Sequence, residues 1–169
     1  MVTPSEIAEV LAAHPGVRRA EVAATHHNGQ DVTLAAVELG EYTSGPILRE
    51  YVRARLGEGN GLAGVLTVER IPMTGDSVDV DYLTSAVADG RCTLFEDPRD
   101  DVERRLAVIW SQQMEVRVVG VHDDFLELGG DSLSALGIIS AIETEFDRSL
   151  DVYEFMSAAS VARLADILR

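Results

Sequence analysis

The stretch Val119-Gly120-Val121-His122-Asp123-Asp124-Phe125-Leu126-Glu127-Leu128-Gly129-Gly130-Asp131-Ser132-Leu133 decides how this 169-residue chain is read. A loop meets a helix there. Gly129 and Gly130 leave the backbone open, so the Ser132 hydroxyl is expected to stand exposed in the first helical turn. Free N–H groups and the positive dipole end at that point favour an attached anionic group such as a phosphodiester. Leu128 and Leu133 flank the serine and are expected to pin loop to helix as a hydrophobic staple. Taken alone, Gly-Gly-Asp-Ser is also an ordinary helix cap.

Working outward, Asp101 to Gln113 and Ser132 to Phe146 both have helical period, with no alternating strand pattern between them. In the second of these, Leu136, Ile139, Ile142 and Phe146 form the expected buried face. A shorter helix around Val152 to Met156 precedes a last one capped by Ser160, with Val161, Leu164 and Leu168 as its buried stripe. These elements make an all-α four-helix bundle over residues 100–169 with a long first loop.

The motif in this setting closely resembles the signature of peptidyl carrier proteins, the thiolation domains of nonribosomal peptide synthetases. Glu103 to Trp110 looks like their first helix and Ser160 to Ala165 like their last. The resemblance implies that Ser132 receives 4'-phosphopantetheine from a phosphopantetheinyl transferase. Gly129, Gly130, Asp131, Leu133, Ser134 and Ile138 would then form the attachment loop and partner-docking face. Acidic Asp123, Asp124, Glu127 and Asp131 would steer basic partners. A serine hydrolase using Ser132, His122 and Asp124 is disfavoured, since Gly130-Asp131-Ser132-Leu133-Ser134 lacks the second glycine of a nucleophile elbow and follows a loop. His122 is expected to bond to backbone within that loop.

The first half reads as an α+β subdomain, a small sheet with helices, over residues 1–83, with 84–99 as linker. Thr3-Pro4-Ser5-Glu6 is a capping box with Pro at the first helical position, and Ile7, Val10 and Leu11 form one apolar face. Val17–Thr25 and Val32–Leu39 flank Asn28-Gly29 as a hairpin. A helix follows from about Pro46 to Leu56, with Ile47, Tyr51 and Val52 inward and Arg49, Glu50, Arg53 and Arg55 outward; Val65–Arg70 is a third strand. His26 and His27 are read as turn residues, because neighbours on a strand point apart and no third metal ligand is evident.

Residues 2–83 resemble the small C-terminal subdomain of an adenylation domain, through Pro4 to Ile7, Val10 to Val17, Leu48 to Leu56 and Ile71 to Thr74. In adenylating relatives a Gly-Lys lysine follows Pro-x-Thr and contacts carboxylate and phosphate. Here the sequence is Pro72-Met73-Thr74-Gly75-Asp76-Ser77-Val78-Asp79, which places Ser77 or Val78 at that position, and all 14 basic residues of the chain are Arg. Guanidinium does not replace a compact ammonium. The resemblance therefore implies no acid activation by this chain alone. The subdomain is expected to be a non-catalytic docking platform for an adenylating enzyme acting in trans and for condensation or tailoring enzymes. The alternatives are the C-terminal half of a split adenylation enzyme and a stabilising appendage.

The whole-chain charge of −15 falls on both halves, at −6 for residues 1–95 and −9 for 96–169. Nucleic acid and anionic membrane are poor partners for such a surface. With one cysteine, no signal peptide and no long apolar run, the chain is expected to be soluble and cytoplasmic.

Overall fold

The computed structural model describes residues 2–169, which separate into two units, one ending at Leu94 and the other spanning Phe95–Arg169. Helix α1 (Pro4–Ala12) starts on the expected capping box, with Thr3 Oγ1 accepting from the Glu6 amide at 3.2 Å and Glu6 Oε2 accepting from the Thr3 amide at 3.1 Å. Strands β1 (Val17–His27) and β2 (Gln30–Leu39) pair antiparallel around Asn28 and Gly29, both at positive φ, as the tight two-residue hairpin turn demands. Helix α2 (Gly45–Leu56) then carries the chain back so that β3 (Leu62–Val68) runs parallel to β2.

The sheet order β1-β2-β3 makes β2 central, and its four consecutive residues Leu34 to Val37 are all buried. Alternation along the strand sends Ala35 and Val37 to one face with Ile7, Leu11, Leu48 and Val52, and Leu34 and Ala36 to the other with Ile71, Val78 and Leu83. The second face is closed by the short hairpin β4 (Met73–Thr74) and β5 (Ser77–Val78) and by helix α3 (Val80–Ala88).

Three sequence expectations need correction here. Arg49, expected outward, is buried, while Ile47 and Tyr51, expected inward, are only half-buried and Leu48 lies in the core. The third strand begins and ends earlier than expected, because its register follows the pairing of Thr33 to Glu38 with Leu62 to Val68. The expected linker is mostly structured: α3 runs to Ala88 from its Asp79 cap, Arg91 and Cys92 amides bond to the Ala86 carbonyl, and Cys92 is buried beside Gly64. Small residues at Thr84, Ser85 and Ala86 hide that helix from a hydrophobic-period reading.

The second unit has four helices, α4 (Asp101–Met114), α5 (Ser132–Phe146), α6 (Val152–Ala158) and α7 (Val161–Leu168). Its core is organised by three edge-to-face rings, with centroid separations of 5.8 Å for Trp110–Phe125, 5.9 Å for Trp110–Phe155 and 5.0 Å for Phe125–Phe155. Phe125 comes from the long loop, so one of the three rings fastens that loop to the bundle. The start of α4 is fixed by an ionic cluster: Asp100 caps the Glu103 amide, and buried Glu103 accepts from Arg99 at 2.6 and 3.0 Å. No helix among the described residues is long and apolar enough to cross a membrane.

Candidate functional site

The loop before α5 is a sequence of local caps. Asp123, fully buried, accepts from the Gly120 amide at 2.8 Å while its own amide donates to the Gly120 carbonyl. Asp124 Oδ2 accepts from the Leu126 and Glu127 amides at 2.9 and 3.1 Å. Both carboxylates thus cap amides of their own loop. Glu127 is half-buried, and desolvation, with the charges of Asp124 and Asp123 adding to it, pushes its carboxyl pKa up.

The loop ends at two glycines that serve different purposes. Gly129 has φ +91, a backbone state that side chains strain, and has open space around it. Gly130 lies flat on the Phe125 ring: a Cβ there would fall 2.4 to 2.5 Å from three ring carbons. Its amide also donates to the Phe125 carbonyl at 3.0 Å.

Asp131 is the N-cap of α5, accepting from the Ser134 amide at 2.9 Å, while Ser134 Oγ accepts from the Asp131 amide at 2.9 Å. Bonds from the Ser134 amide and hydroxyl hold the Asp131 carboxyl below its ordinary pKa. Ser132 follows as the first helical residue, exposed, with its hydroxyl bonded to no other described residue. It is a free hydroxyl beside orphan helix N–H groups, at the positive end of a 15-residue helix. A phosphodiester fits this position on the structure's own terms, since the serine is exposed at the positive end of the helix dipole.

The hydrolase constellation is not assembled. His122 Nε2 sits 2.6 Å from Glu96 Oε2, a side-chain pair in place of the expected backbone bond, and Asp124 is spent on amides. His26 pairs with Asp31 at 2.6 Å, and no group of three or more metal-ligating side chains occurs among the described residues.

Two expectations for the α5 surface are overturned. Ile138 is 0% exposed and packs in the core, so it belongs to no docking face, while Leu136, expected in the core, is 55% exposed. The helix is apolar most of the way round, so two stripes are compatible with its period; contact with α4 and α6 selects Ala135, Ile138, Ile139 and Ile142. The staple also fails: Leu128 is buried but Leu133 is 79% exposed. Leu133 and Leu136, three apart, instead make an exposed apolar strip next to Ser132. Leu126 on the loop and Tyr153 on α6 are likewise exposed, and no periodic signal in the sequence singles them out.

Comparison with known proteins bears on this geometry directly. Residues 104–168 match the family described as phosphopantetheine attachment site. This part of the chain is a phosphopantetheine carrier domain. The relatives extend beyond it. Gramicidin S synthase 2 of Brevibacillus brevis is 30% identical over 170 residues, covering 99% of this chain and 4% of that protein. N-(5-amino-5-carboxypentanoyl)-L-cysteinyl-D-valine synthase of Amycolatopsis lactamdurans is 31% identical over 166 residues, covering 95% and 4%. The chain thus spans only a few per cent of the length of these curated relatives. Among solved structures, BlmI, a type-II acyl carrier protein from Streptomyces verticillus, is 33% identical, with 40% of this chain and 81% of that chain covered and a TM-score of 0.39.

Proposed function

We propose that Ser132 is the attachment residue and that the protein holds an aminoacyl or related acyl group as a phosphopantetheine thioester during nonribosomal peptide or similar natural-product synthesis. The observation that carries this reading is an exposed, unbonded serine hydroxyl at the first position of α5 inside a matched phosphopantetheine-attachment domain. In attachment, Ser132 Oγ forms a bond to the pantetheine-bearing phosphorus of coenzyme A as the bond to adenosine 3',5'-bisphosphate breaks. The hydroxyl proton passes to a base of the phosphopantetheinyl transferase, because no base among the described residues is hydrogen-bonded to the serine. The bound arm supplies a thiol for the acyl load. Leu133 and Leu136 offer apolar contact to the transferase and to later condensation or tailoring enzymes, while Gly129, Gly130, Asp131 and Ser134 hold the serine in place.

The first unit is read as an adenylation-like subdomain without catalysis of its own, serving as a platform for an adenylating enzyme acting in trans. Gly75 and Asp76 turn the β4–β5 hairpin, Ser77 is exposed and Val78 is buried, so Ser77 is the position from which a relative's lysine would reach a substrate. A serine there carries no charge to an acyl phosphate, and the chain has no lysine to supply one. The platform reading is favoured over a split adenylation enzyme on this ground.

The test is intact-protein mass after incubation with coenzyme A and a broad-specificity phosphopantetheinyl transferase. A gain of about 340 Da, one arm joined covalently to the serine oxygen, is expected for the wild type and not for Ser132→Ala. No gain in folded wild type, with a control carrier modified in parallel, overturns the reading.

A further inference from the structure

The residues that open the second unit are fastened to the loop that presents Ser132. The Glu96 carbonyl accepts from the Val121 amide at 3.0 Å, and the Glu96 carboxylate meets His122 Nε2 at 2.6 Å. Phe95 lies over Gly120, where a Cβ would come within 3.0 Å of its ring. Arg99 completes the clasp, 3.8 Å from Glu96 and hydrogen-bonded to Glu103 in the first turn of α4. Val121 is held from its other side as well, its carbonyl accepting from the Ala162 amide at 2.9 Å.

Tension in this clasp has a short route to the serine. From Val121 and His122 the chain enters the Asp123 and Asp124 caps. Phe125 then bonds through its amide to the Ala159 carbonyl at 2.8 Å, and its ring and carbonyl hold Gly130, two residues before Ser132. None of these contacts touches the reacting oxygen.

We propose that Glu96, through its paired contacts with His122 and Val121, is a positioning residue for modification of Ser132, so that the segment by which the chain enters the carrier domain sets how readily the serine is presented. The proposal rests on the carrier reading above. A loop held in its competent arrangement for a smaller fraction of the time binds the transferase with an apparent constant weakened by that fraction, with the chemical step unchanged.

The experiment uses the full chain, coenzyme A and one purified transferase, and follows initial rates of the mass gain against carrier concentration. Glu96→Ala and His122→Ala are each expected to lower kcat/KM about two- to five-fold, the range open to an exposed hydrogen-bonded pair, through KM and not kcat. The double variant is expected to equal either single one, because both remove the same contact. Glu96→Gln, which keeps the length and a hydrogen-bonding end, is expected to recover at least half of the wild-type value. Unchanged KM in Glu96→Ala overturns the proposal, as does full additivity in the double variant, which would mean that Glu96 meets the transferase directly. A wild type that gains no mass beside a modified control instead removes the carrier reading itself, and the two failures are told apart by that one sample.

Discussion

Replacing Gly130 by Ala tests whether the loop is seated on the Phe125 ring. The new Cβ would lie 2.4 to 2.5 Å from Phe125 Cζ, Cε1 and Cε2, whereas carbon atoms in contact prefer about 3.5–4.0 Å, so roughly an ångström or more of overlap must be relieved. The ring cannot retreat easily. It is 1% exposed and wedged edge-to-face between Trp110 and Phe155. Overpacking of this kind costs about 1–3 kcal/mol, or lifts Asp124 to Ser132 from the bundle. Because the Gly130 backbone is not at positive φ, the penalty is steric alone. Gly129→Ala is the matched control: nothing lies within 4 Å, and the φ of +91 alone costs about 1–2 kcal/mol. Urea unfolding followed by Trp110 fluorescence, the chain's single tryptophan, reads the stability of this cluster. The decisive step is Phe125→Leu, which makes room. In that background Gly130→Ala should cost clearly less than in wild type, and Gly129→Ala the same in both. Equal costs for Gly130→Ala in the two backgrounds would refute the packing argument.

Three further outcomes follow from burial and hydrogen bonding elsewhere in the chain. Ile138→Ala should cost about 2–5 kcal/mol in urea unfolding, and Leu136→Ala less than about 0.5, the reverse of what the sequence pattern suggests. In the first unit Val78→Lys should unfold the subdomain by burying an unpaired ammonium, while Ser77→Lys should leave its thermal midpoint unchanged. The third outcome concerns acid. Asp100, Glu103 and Asp131 have carboxyl pKa values held down by hydrogen bonds to the Glu103 amide, Arg99 and the Ser134 amide respectively. Folding therefore lowers their proton affinity, so their contribution is present above about pH 4, the unfolded value, and is lost as pH falls through the folded values. Glu127 has the opposite sign: its raised pKa makes ionisation costly in the fold, so its contribution is greatest below about pH 4 and is lost as pH rises through the folded value. Thermal melts from about pH 2 to 7, the span over which carboxylates titrate, should show Asp131→Asn flattening the acid loss, and Glu127→Gln removing a decline on the neutral side.

Features of this chain that depend on a few neighbouring residues are legible in the sequence itself. The Thr3–Glu6 capping box, the Asn28-Gly29 hairpin and the start of α5 at Ser132 are local hydrogen-bond and φ requirements, and each stands where its residues announce it. What the sequence hides is decided by distant partners. Leu136 and Ile138 exchange roles because the largely apolar α5 has no single periodic face until its neighbours choose one, and Arg49 of α2 is buried although its charge places it outside any apolar stripe. The α3 helix is hidden for another reason: Asp79 and Gly90 mark its ends, but the small residues Thr84 to Ala86 interrupt the short stripe of Val80, Leu83 and Val87.

Gly129 and Gly130 bring both kinds of determinant into one dipeptide. In sequence they are indistinguishable, and either could be explained by backbone freedom. Only Gly129 needs that freedom; Gly130 is small because a ring from five residues earlier, locked by Trp110 and Phe155, occupies the space a methyl group would take. The seat of Ser132 is thus set by the aromatic core as much as by the helix cap. A core substitution such as Phe155→Leu, far from the serine along the chain, should slow its modification even where the cap is intact. Comparable kcat/KM for that variant and wild type, at temperatures where both are folded, would leave the cap alone as the determinant.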